Sequence, residues 1–272
     1  MTRFVVVPQW QGSPSSRAMQ FIDGAEAIAG DLPRSATTRV DVPVEAGEAL
    51  GTGIHRFSAL TRIAEAIRAA LTDAGADQPA VVVGGDCGVA VPAIAQAAAQ
   101  HPGLAVVWLD AHADLNSPAS SPSGAFAGMA LRAVVDELAL PGSGAVPGER
   151  IVLAGAREFD DAEAAVIAER GLRTLTVDDL GSPGALADAV AATGASAVYV
   201  HVDLDVLDPA VITGLALPLP FGLALSQLTD AIGALRARLP LAGASISGFA
   251  PSSPAAAVDD LGTILRVVGA LA

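Results

Sequence analysis

The sequence contains no lysine, and all 15 of its basic residues are arginine. This absence excludes mechanisms that need a lysine amine, namely Schiff-base catalysis, pyridoxal attachment and the lysine of a P-loop. The 29 acidic residues give a formal net charge of -14, which argues against binding to the phosphate backbone of nucleic acids. We therefore expect no nucleic-acid partner. The excess of acids fits a protein that binds cations, and it fits equally well a chain kept soluble by its charge.

Cysteine and long apolar runs are also scarce. One cysteine cannot form an intramolecular disulfide, so nothing indicates an oxidising compartment. No run of 18 apolar residues free of charges and prolines occurs, and the N-terminus lacks the apolar segment of a secretory signal. These absences predict a cytoplasmic protein with no membrane partner.

Short apolar segments alternate with alanine-rich segments of helical periodicity along the chain. The first kind predicts strands at 4–10, 80–85, 105–111, 150–156, 172–177, 197–206 and 244–249, and the second predicts helices at 58–75, 161–171, 184–194, 226–239 and 259–272. Strands that are almost continuously hydrophobic are typical of a parallel sheet buried on both faces. We predict an α/β protein with one domain over residues 1–272 and a mainly parallel sheet flanked by helices on both faces.

Acidic residues cluster at the ends of two predicted strands. WLDAHADLN places Asp110, His112 and Asp114 at alternate positions, and HVDLDVLDP does the same with Asp203 and Asp205. Alternate residues of an extended chain lie on one side of it. These groups would repel one another and be costly to desolvate unless cations lay between them. An oxygen-rich set with one imidazole predicts two divalent ions, for which Mn²⁺ is well suited.

The single cysteine, Cys87, lies in GGDCG directly after the predicted strand 80–85. Its place between a strand and the following helix is where α/β proteins keep functional groups. A packed core thiol, a nucleophile and a metal ligand are the three interpretations. A nucleophile needs a positioned base, and the histidine of the acidic cluster is more useful as a ligand. Since thiolate is softer than Mn²⁺ prefers, Zn²⁺ remains an alternative metal.

These three motifs resemble the ureohydrolase superfamily of arginase, agmatinase and formiminoglutamase. The family shows GGDHS, WxDAHxD and SxDxDxxDP where this chain has GGDCG, WLDAHAD and HVDLDVLDP, in the same order and over essentially the whole chain. The resemblance implies an eight-stranded parallel sheet with a binuclear manganese site at its C-terminal edge. It further implies that a bridging hydroxide attacks the carbon of a guanidine-like group.

The resemblance also implies roles for individual residues. Asp110 and Asp203 would bridge the two ions, Cys87 and Asp114 would complete one ion, and His112 and Asp205 would complete the other. Asp114 would in addition be catalytic, because it would hydrogen-bond the hydroxide and orient it.

Further positions match the family's substrate contacts. Asn116 and Ser123 match residues that bind an α-carboxylate, Asp160 matches the acid that meets the α-amino group, and Glu158 lies nearby. These matches imply a small amino-acid substrate rather than agmatine. Because the chain ends within its last predicted helix, without the tail that helps arginases form trimers, we expect a monomer.

Three positions depart from the family pattern. The motif histidine is Cys87, the proton-shuttle histidine falls at Ala127, and the acid that faces the guanidinium falls at Gly248. A thiolate adds one negative charge to the cluster and makes the ions weaker Lewis acids. Each change favours a head group less basic than guanidinium, such as N-hydroxyguanidine. Two alternatives remain, another ureohydrolase activity and an inactive metal-binding sensor.

Other polar and aromatic residues are given structural roles. His201 shares the parity of Asp203 on its predicted strand, which places it either beside the cluster or in core packing. Trp108 is predicted in the core or at an interface. Acids within predicted helices, such as Glu65, Glu163 and Asp188, are expected on solvated faces.

Overall fold

A single sheet of eight strands forms the centre of the computed structural model, which describes residues 2–73 and 79–272. The strands are β1 Arg3–Val7, β2 Thr37–Arg39, β3 Ala80–Gly84, β4 Leu104–Leu109, β5 Ile151–Ala154, β6 Arg173–Leu175, β7 Ala197–Asp203 and β8 Leu241–Ser247. Their order is β2-β1-β3-β8-β7-β4-β5-β6, and every pairing of neighbours is parallel. The predicted parallel sheet is confirmed.

Helices cover both faces of this sheet. They are α1 Gln20–Gly30, α2 Phe57–Asp73, α3 Ala90–Gln100, α4 Ala130–Val135, α5 Asp161–Arg170, α6 Ala185–Ala191, α7 Leu225–Arg236 and α8 Ala257–Leu271. Apolar residues of α1, α6, α7 and α8 pack in the core on one face, and those of α2 to α5 pack on the other. The predicted α/β class, with helices on both faces, is therefore confirmed. Among the described residues, no helix combines the length and apolar character needed to cross a membrane.

The predicted elements differ from the observed ones in instructive places. The strand predicted over 197–206 ends at Asp203, whose carboxylate accepts the backbone N–H of Asp205 and begins a 3₁₀ turn over Leu204–Val206. No range was predicted for strand β2 or for helices α1, α3 and α4. The end of the helix predicted over 58–75 lies outside the described residues at 74 and 75. The single domain over 1–272 stays a prediction.

The strand order decides where a site can form. Strands β3 and β4 are consecutive in the chain, but β8 and β7 lie between them in the sheet. After β6 the chain returns to the centre of the sheet, so the order in which strands are added reverses there. In open parallel sheets, ligands bind outside the carboxyl ends of the strands at such a switch point. The carboxyl ends of β3, β8, β7 and β4 lie side by side there.

Candidate active site

A cavity of about 670 Å³ lies at this edge of the sheet. All ten residues that the sequence predicted for the site line it: Cys87, Asp110, His112, Asp114, Asn116, Ser123, Glu158, Asp160, Asp203 and Asp205. The structure thus brings the predicted residues into one pocket. Their individual roles as ligands or substrate contacts stay predictions.

The segment after β4 supplies the first part of the acidic cluster. Asp110 is buried, and its Oδ1 accepts the backbone N–H of His112 at 2.7 Å while its Oδ2 accepts the indole N–H of Trp108 at 3.1 Å. Asp114 has a φ of 53°, a left-handed conformation in which Asp is enriched. Its buried Oδ2 has no hydrogen-bond partner in the described parts of the chain.

The ends of β3, β7 and β8 supply the second part. The Cys87 thiol donates to Asp203 Oδ2 at 2.9 Å, and the Ser247 hydroxyl donates to the same oxygen at 3.1 Å. On the far side, Asp205 Oδ1 accepts the backbone N–H of Ala111 at 3.0 Å, which ties the β7 turn to the β4 turn. The ends of four strands, β3, β8, β7 and β4, therefore position the cluster.

His112 joins the two halves of the cluster. Its Nδ1 lies 3.0 Å from Asp205 Oδ2 and 3.4 Å from Asp110 Oδ1. Burial lowers the pKa of His112, but its hydrogen bonds to Asp110 and Asp205 and the charges of these two acids raise that pKa to about 12. Without other cations, this imidazolium is the positive charge that the acids gather around.

The pKa values of the buried acidic groups in the cluster lie above their ordinary values. Burial, together with the charge of Asp205, raises the pKa of Asp203 to about 7. Burial and the neighbouring Asp110 raise the pKa of Asp114, and burial and the nearby aspartates raise the pKa of the Cys87 thiol. So many buried acids with a single histidine cannot all be ionised unless further positive charge enters.

The donor set fits a pair of divalent cations. Potential ligand atoms lie within 4.8 Å of one another in two groups, Cys87–Asp110–His201 and Asp110–His112–Asp205, which share Asp110. The unpartnered Asp114 Oδ2 adds an acceptor that is buried against the same cavity. Asp110 is shared by the two groups, as a carboxylate between two ions would be, while the first group contains His201 and neither group contains the predicted ligands Asp114 and Asp203.

Comparison with known proteins places this arrangement in a family. The model of the arginase family matches residues 21–260. The chain belongs to the arginase family. The arginase of Bacillus caldovelox is 33% identical over 199 residues, which cover 67% of each chain. The arginase of Staphylococcus aureus (strain COL) is 33% identical over 139 residues, covering 47% of this chain, and the match spans about half, 46%, of that relative's length.

Solved structures of arginases have the same fold. The native structure of the Bacillus caldovelox arginase at pH 5.6 superposes with a TM-score of 0.81 at 24% identity over 98% of both chains. Entamoeba histolytica arginase, solved in complex with L-ornithine, gives a TM-score of 0.82 at 19% identity, with 99% of this chain and 97% of that one covered. The predicted ureohydrolase fold and superfamily are confirmed.

Two of the predicted substrate contacts of this arginase-family chain, Asn116 and Asp160, are joined by a hydrogen bond. Asn116 is buried, and its Nδ2 donates to Asp160 Oδ2 at 3.2 Å. Asp160 also caps α5 by accepting the backbone N–H of Glu163 at 2.9 Å. Ser123 and Glu158 are exposed at the pocket wall.

Glu163 corrects one expectation. It was predicted on a solvated face, but it is 7% exposed and lines the cavity. Its Oε1 accepts the backbone N–H of Leu115 at 3.1 Å, and its Oε2 accepts that of Asp160 at 3.0 Å. The residue at the third position of a helix can reach back to the N-cap in this way, so the Asp160–Glu163 spacing was the signal that could have identified it. Glu65 and Asp188 are exposed as expected.

Two of the family departures also line the cavity. Ala127 and Gly248 both face it. Gly248 has a φ of +92°, and a Cβ added there would lie 2.1 Å from Asp203 Oδ1. The pocket therefore has neither an imidazole at 127 nor an acid at 248, and the glycine leaves room for the Asp203 carboxylate.

Two residues that join separate segments of the pocket were not predicted from the sequence. Asp86, in the GGDCG motif, is buried and accepts hydrogen bonds from Gln9 Nε2 and from the backbone N–H groups of Gly12 and Gly88. Arg157 donates to the backbone oxygens of Asp205, Leu219 and Pro220, and thereby fastens the segment that forms one pocket wall. Both contacts join segments that are distant in sequence, so no local pattern predicts them.

Proposed function

We propose that this chain is a metal-dependent amidinohydrolase that converts Nω-hydroxy-L-arginine and water into hydroxyurea and L-ornithine. The observation that carries the proposal is the meeting of three changes in one cavity, with Cys87 in the acidic cluster, Ala127 on the wall and Gly248 beside Asp203. All three changes would affect how the site binds the substrate's head group and reacts with it. None of them changes a residue that matches the family's contacts to the α-carboxylate and α-amino groups of the substrate.

The residues proposed to hold the two ions are those of the cluster: Cys87, Asp110, His112, Asp114, Asp203 and Asp205. The four carboxylates favour Mn²⁺, while the softer thiolate of Cys87 is also compatible with Zn²⁺. When bound, such ions supply water of lowered pKa and polarise the carbon under attack.

The chain's own residues would bind the substrate and manage its protons. Asp114 is proposed to orient the attacking water and accept its proton, because the residue lines the cavity and its Oδ2 is buried and unpartnered among the described residues. Asn116 and Ser123 would bind the α-carboxylate and Asp160 the α-amino group, with Glu158 beside them. Water adds to the guanidino carbon, and the bond from this carbon to the nitrogen attached to Cδ then breaks. That nitrogen takes up a proton and leaves as the side-chain amine of ornithine.

The proposed head group follows from two groups that positions 127 and 248 of the pocket wall lack, an acid and a proton donor. A guanidinium group needs an acid to bind it and a proton donor to help its amine leave, a contribution of roughly 10² to 10⁴ in rate. Neither Ala127 nor Gly248 carries such a group. The hydroxyl of N-hydroxyguanidine withdraws electrons and lowers the basicity of the group, so the loss of the acid costs less. Its oxygen also adds a polar contact toward the cluster.

A cysteine in the histidine position and a missing shuttle histidine resemble the Nω-hydroxy-L-arginine amidinohydrolase of D-cycloserine biosynthesis. This likeness supports a place in antibiotic formation, with hydroxyurea as the product that is used further. Two other functions compete with the proposal. They are an arginase, agmatinase or formiminoglutamase activity, and a metal-dependent sensor that has kept the fold without turnover.

The deciding experiment compares three substrates on the Mn²⁺-loaded protein. Hydroxyarginine, arginine and agmatine are supplied separately, and ornithine, putrescine and hydroxyurea are measured. We expect kcat/KM for hydroxyarginine to exceed that for arginine by at least about 100-fold, the lower end of the shuttle contribution. Equal values for the two amino acids would overturn the proposed substrate. Two bound ions with no turnover of any substrate would favour the sensor.

A further inference from the structure

Strand β8 has two different faces, although it lies in the middle of the sheet. Ala244 and Ile246 belong to the apolar core on one side, and Ser245 and Ser247 alternate with them along the strand. Both serines are buried, with 0% and 1% of their surfaces exposed. Because a buried hydroxyl is costly unless it forms a hydrogen bond, each serine needs a polar partner inside the fold.

The partners of the two serines lie directly across from them on β7. In the register of the strands, His201 is paired with Ser245 and Asp203 with Ser247. The Ser245 hydroxyl lies 2.7 Å from His201 Nδ1, and the Ser247 hydroxyl donates to Asp203 Oδ2 at 3.1 Å. Ser247 therefore reaches the acidic cluster, whereas Ser245 contacts a residue outside the set of proposed ligands.

The backbone fixes Ser247 in this place. Directly after it, the N–H of Gly248 donates to the backbone oxygen of Gly85 at 2.9 Å, which joins the end of β8 to the end of β3. Because the serine side chain has a single torsion before its oxygen, a fixed backbone leaves that oxygen few alternative positions. Its Oγ also lies 3.6 Å from Cys87 Sγ, at the edge of the same cluster.

We propose that Ser247 is a positioning residue whose hydroxyl holds the carboxylate of Asp203 in the orientation that lets both of its oxygens bind metal. The inference rests on the metal centre proposed above, with Asp203 as a carboxylate between two ions. Within the described parts of the chain, Ser247 is not among the residues that line the cavity. It would therefore act through Asp203 and not on the substrate.

The hydrogen bonds to Asp203 give this hydroxyl its importance. A carboxylate has two oxygens with about four acceptor positions. Oδ1 accepts the backbone N–H of Asp205 at 2.9 Å, while Oδ2 accepts the Cys87 thiol at 2.9 Å and the Ser247 hydroxyl. Cys87 is itself a proposed ligand, so its bond to Oδ2 is lost where an ion lies between the two. Each oxygen then keeps one hydrogen bond and one free acceptor position, as a bridging carboxylate needs.

The Ser247 bond should matter more in the metal-loaded protein than in the metal-free protein. Without metal, Oδ2 keeps the Cys87 thiol as a donor even if the hydroxyl is removed. With metal, Ser247 would be the one side-chain donor to Oδ2 among the described residues. Loss of the hydroxyl should therefore weaken metal binding beyond any effect on the metal-free fold. This difference separates a positioning residue from a residue that only packs.

Three substitutions test the inference. Ser247→Ala removes the hydroxyl, and Ser247→Thr keeps it. Ser245→Ala is the matched control, because it makes the same change two residues earlier on the same strand, where the hydroxyl contacts His201 instead. The affinity for Mn²⁺ is measured by calorimetry, and the urea midpoint is measured for the metal-free proteins. Because threonine adds a methyl group to a buried place, the comparison of the two alanine variants decides the outcome.

We expect Ser247→Ala to weaken Mn²⁺ binding by about 10- to 100-fold, as loss of a hydrogen bond to a metal ligand does. Its urea midpoint without metal should stay close to that of Ser245→Ala. Ser247→Thr and Ser245→Ala should bind Mn²⁺ as the wild type does. In a Cys87→His background, Ser247→Ala should weaken binding by the same factor, since the hydroxyl acts through Asp203 and not through the sulfur.

Other results would overturn the inference. Wild-type affinity in Ser247→Ala would mean that Asp203 needs no such donor. An equal loss in Ser247→Ala and Ser245→Ala would indicate a general need for buried hydroxyls on β8. A loss that disappears in the Cys87→His background would mean that the hydroxyl acts on the sulfur. Failure of the wild type to bind metal would remove the proposed metal centre as well, whereas the first three results leave it standing.

Discussion

The thiol of Cys87 donates a hydrogen bond to the carboxylate of Asp203 across 2.9 Å, from Sγ to Oδ2. The two residues are 116 positions apart in the chain and are brought together by the neighbouring ends of β3, β8 and β7. Burial and the surrounding aspartates raise the pKa of the thiol, so this proton remains in place until a cation displaces it. The contact therefore describes the metal-free form of two residues that are proposed to be metal ligands.

Removal of the metal ions should abolish hydrolysis, and added Mn²⁺ should restore it. The acids of the cluster then lose the cations that neutralise them. Ornithine release is measured before chelation, after it and after readdition of Mn²⁺. Alkylation of Cys87 supplies the control, and it should be slow in both forms because the thiol is buried. An enzyme that survives full chelation but is killed by alkylation would instead use Cys87 as a nucleophile.

Replacing Cys87 with histidine should keep both ions and shift the preference toward arginine. The change removes one negative charge from the ligand set, so the ions become stronger Lewis acids. Metal content by mass spectrometry and the ratio of kcat/KM for the two substrates measure the effect. Cys87→Ala is the matched control, which should lose metal affinity because it offers no donor. A Cys87→His protein that fails to fold would restore the interpretation of Cys87 as a core thiol.

The metal-free protein should become less stable as the pH rises from about 4 to about 7. Burial raises the pKa of Asp86 from 3.8 to about 6, and burial with the charge of Asp205 raises that of Asp203 from 3.8 to about 7. At these two acids the folded state binds more protons than the unfolded state in this window. Their combined effect exceeds the opposite effect of His201, whose pKa burial lowers to about 3, so the free energy of unfolding falls as the pH rises.

At ~1.4 kcal/mol per pKa unit, the loss from Asp86 alone is on the order of 3 kcal/mol. Urea unfolding at several pH values measures it. The metal-loaded protein should show the opposite slope, because ions and protons compete for the same ligands. Parallel slopes for the two forms would mean that the metal does not bind these acids.

Glu163→Gln should raise KM with little change in kcat. Glu163 accepts backbone N–H groups from Leu115 and Asp160, and a glutamine amide can accept only one of them. The unpaired N–H costs about 1–3 kcal/mol of stability and loosens the segments that carry Asn116 and Asp160. Steady-state kinetics and urea unfolding test both effects. Glu65→Gln on α2, an exposed change of the same chemistry, should leave both unchanged.

Gly248→Ala should weaken metal binding. The residue has a φ of +92°, and the new Cβ would lie 2.1 Å from Asp203 Oδ1, so the carboxylate must move. Gly233→Ala in α7 is the control, because nothing lies within 4 Å of its Cβ position and alanine favours a helix by about 0.5–1 kcal/mol. Calorimetric Mn²⁺ titration of both variants gives the comparison. Wild-type affinity in Gly248→Ala would mean that Asp203 is not held where a metal needs it.

The sequence predicted the central strands and the acidic cluster because both depend on local pattern. Continuous apolar runs identified β3, β4 and β7, and alternate spacing placed Asp110 and Asp203 at strand ends. The three-residue β2, TTR, has no apolar run because it pairs on one side only, at the edge of the sheet. An edge strand of this length leaves little signal.

The parts of the site that could not be predicted depend on contacts across the fold. Arg157 is satisfied by backbone oxygens from the segment after β7, which no spacing reveals. The burial of Glu163 results from the approach of Leu115, a residue 48 positions away. His201 was left between two interpretations because parity gives the face of a strand but not the neighbours on it.

The distribution of the cluster over β3, β4 and β7 has a consequence for the order of events during folding. Asp110 and Asp203 come from different strands, and they meet only after β4 and β7 have paired along Leu104–Leu109. Contacts between positions so far apart in the chain form late, because closing a long loop costs conformational entropy. An unfolded chain therefore has no preformed cage to capture an ion. The nascent polypeptide must complete its sheet around clustered acids, and the proposed cations would therefore bind last, to a sheet that is already formed.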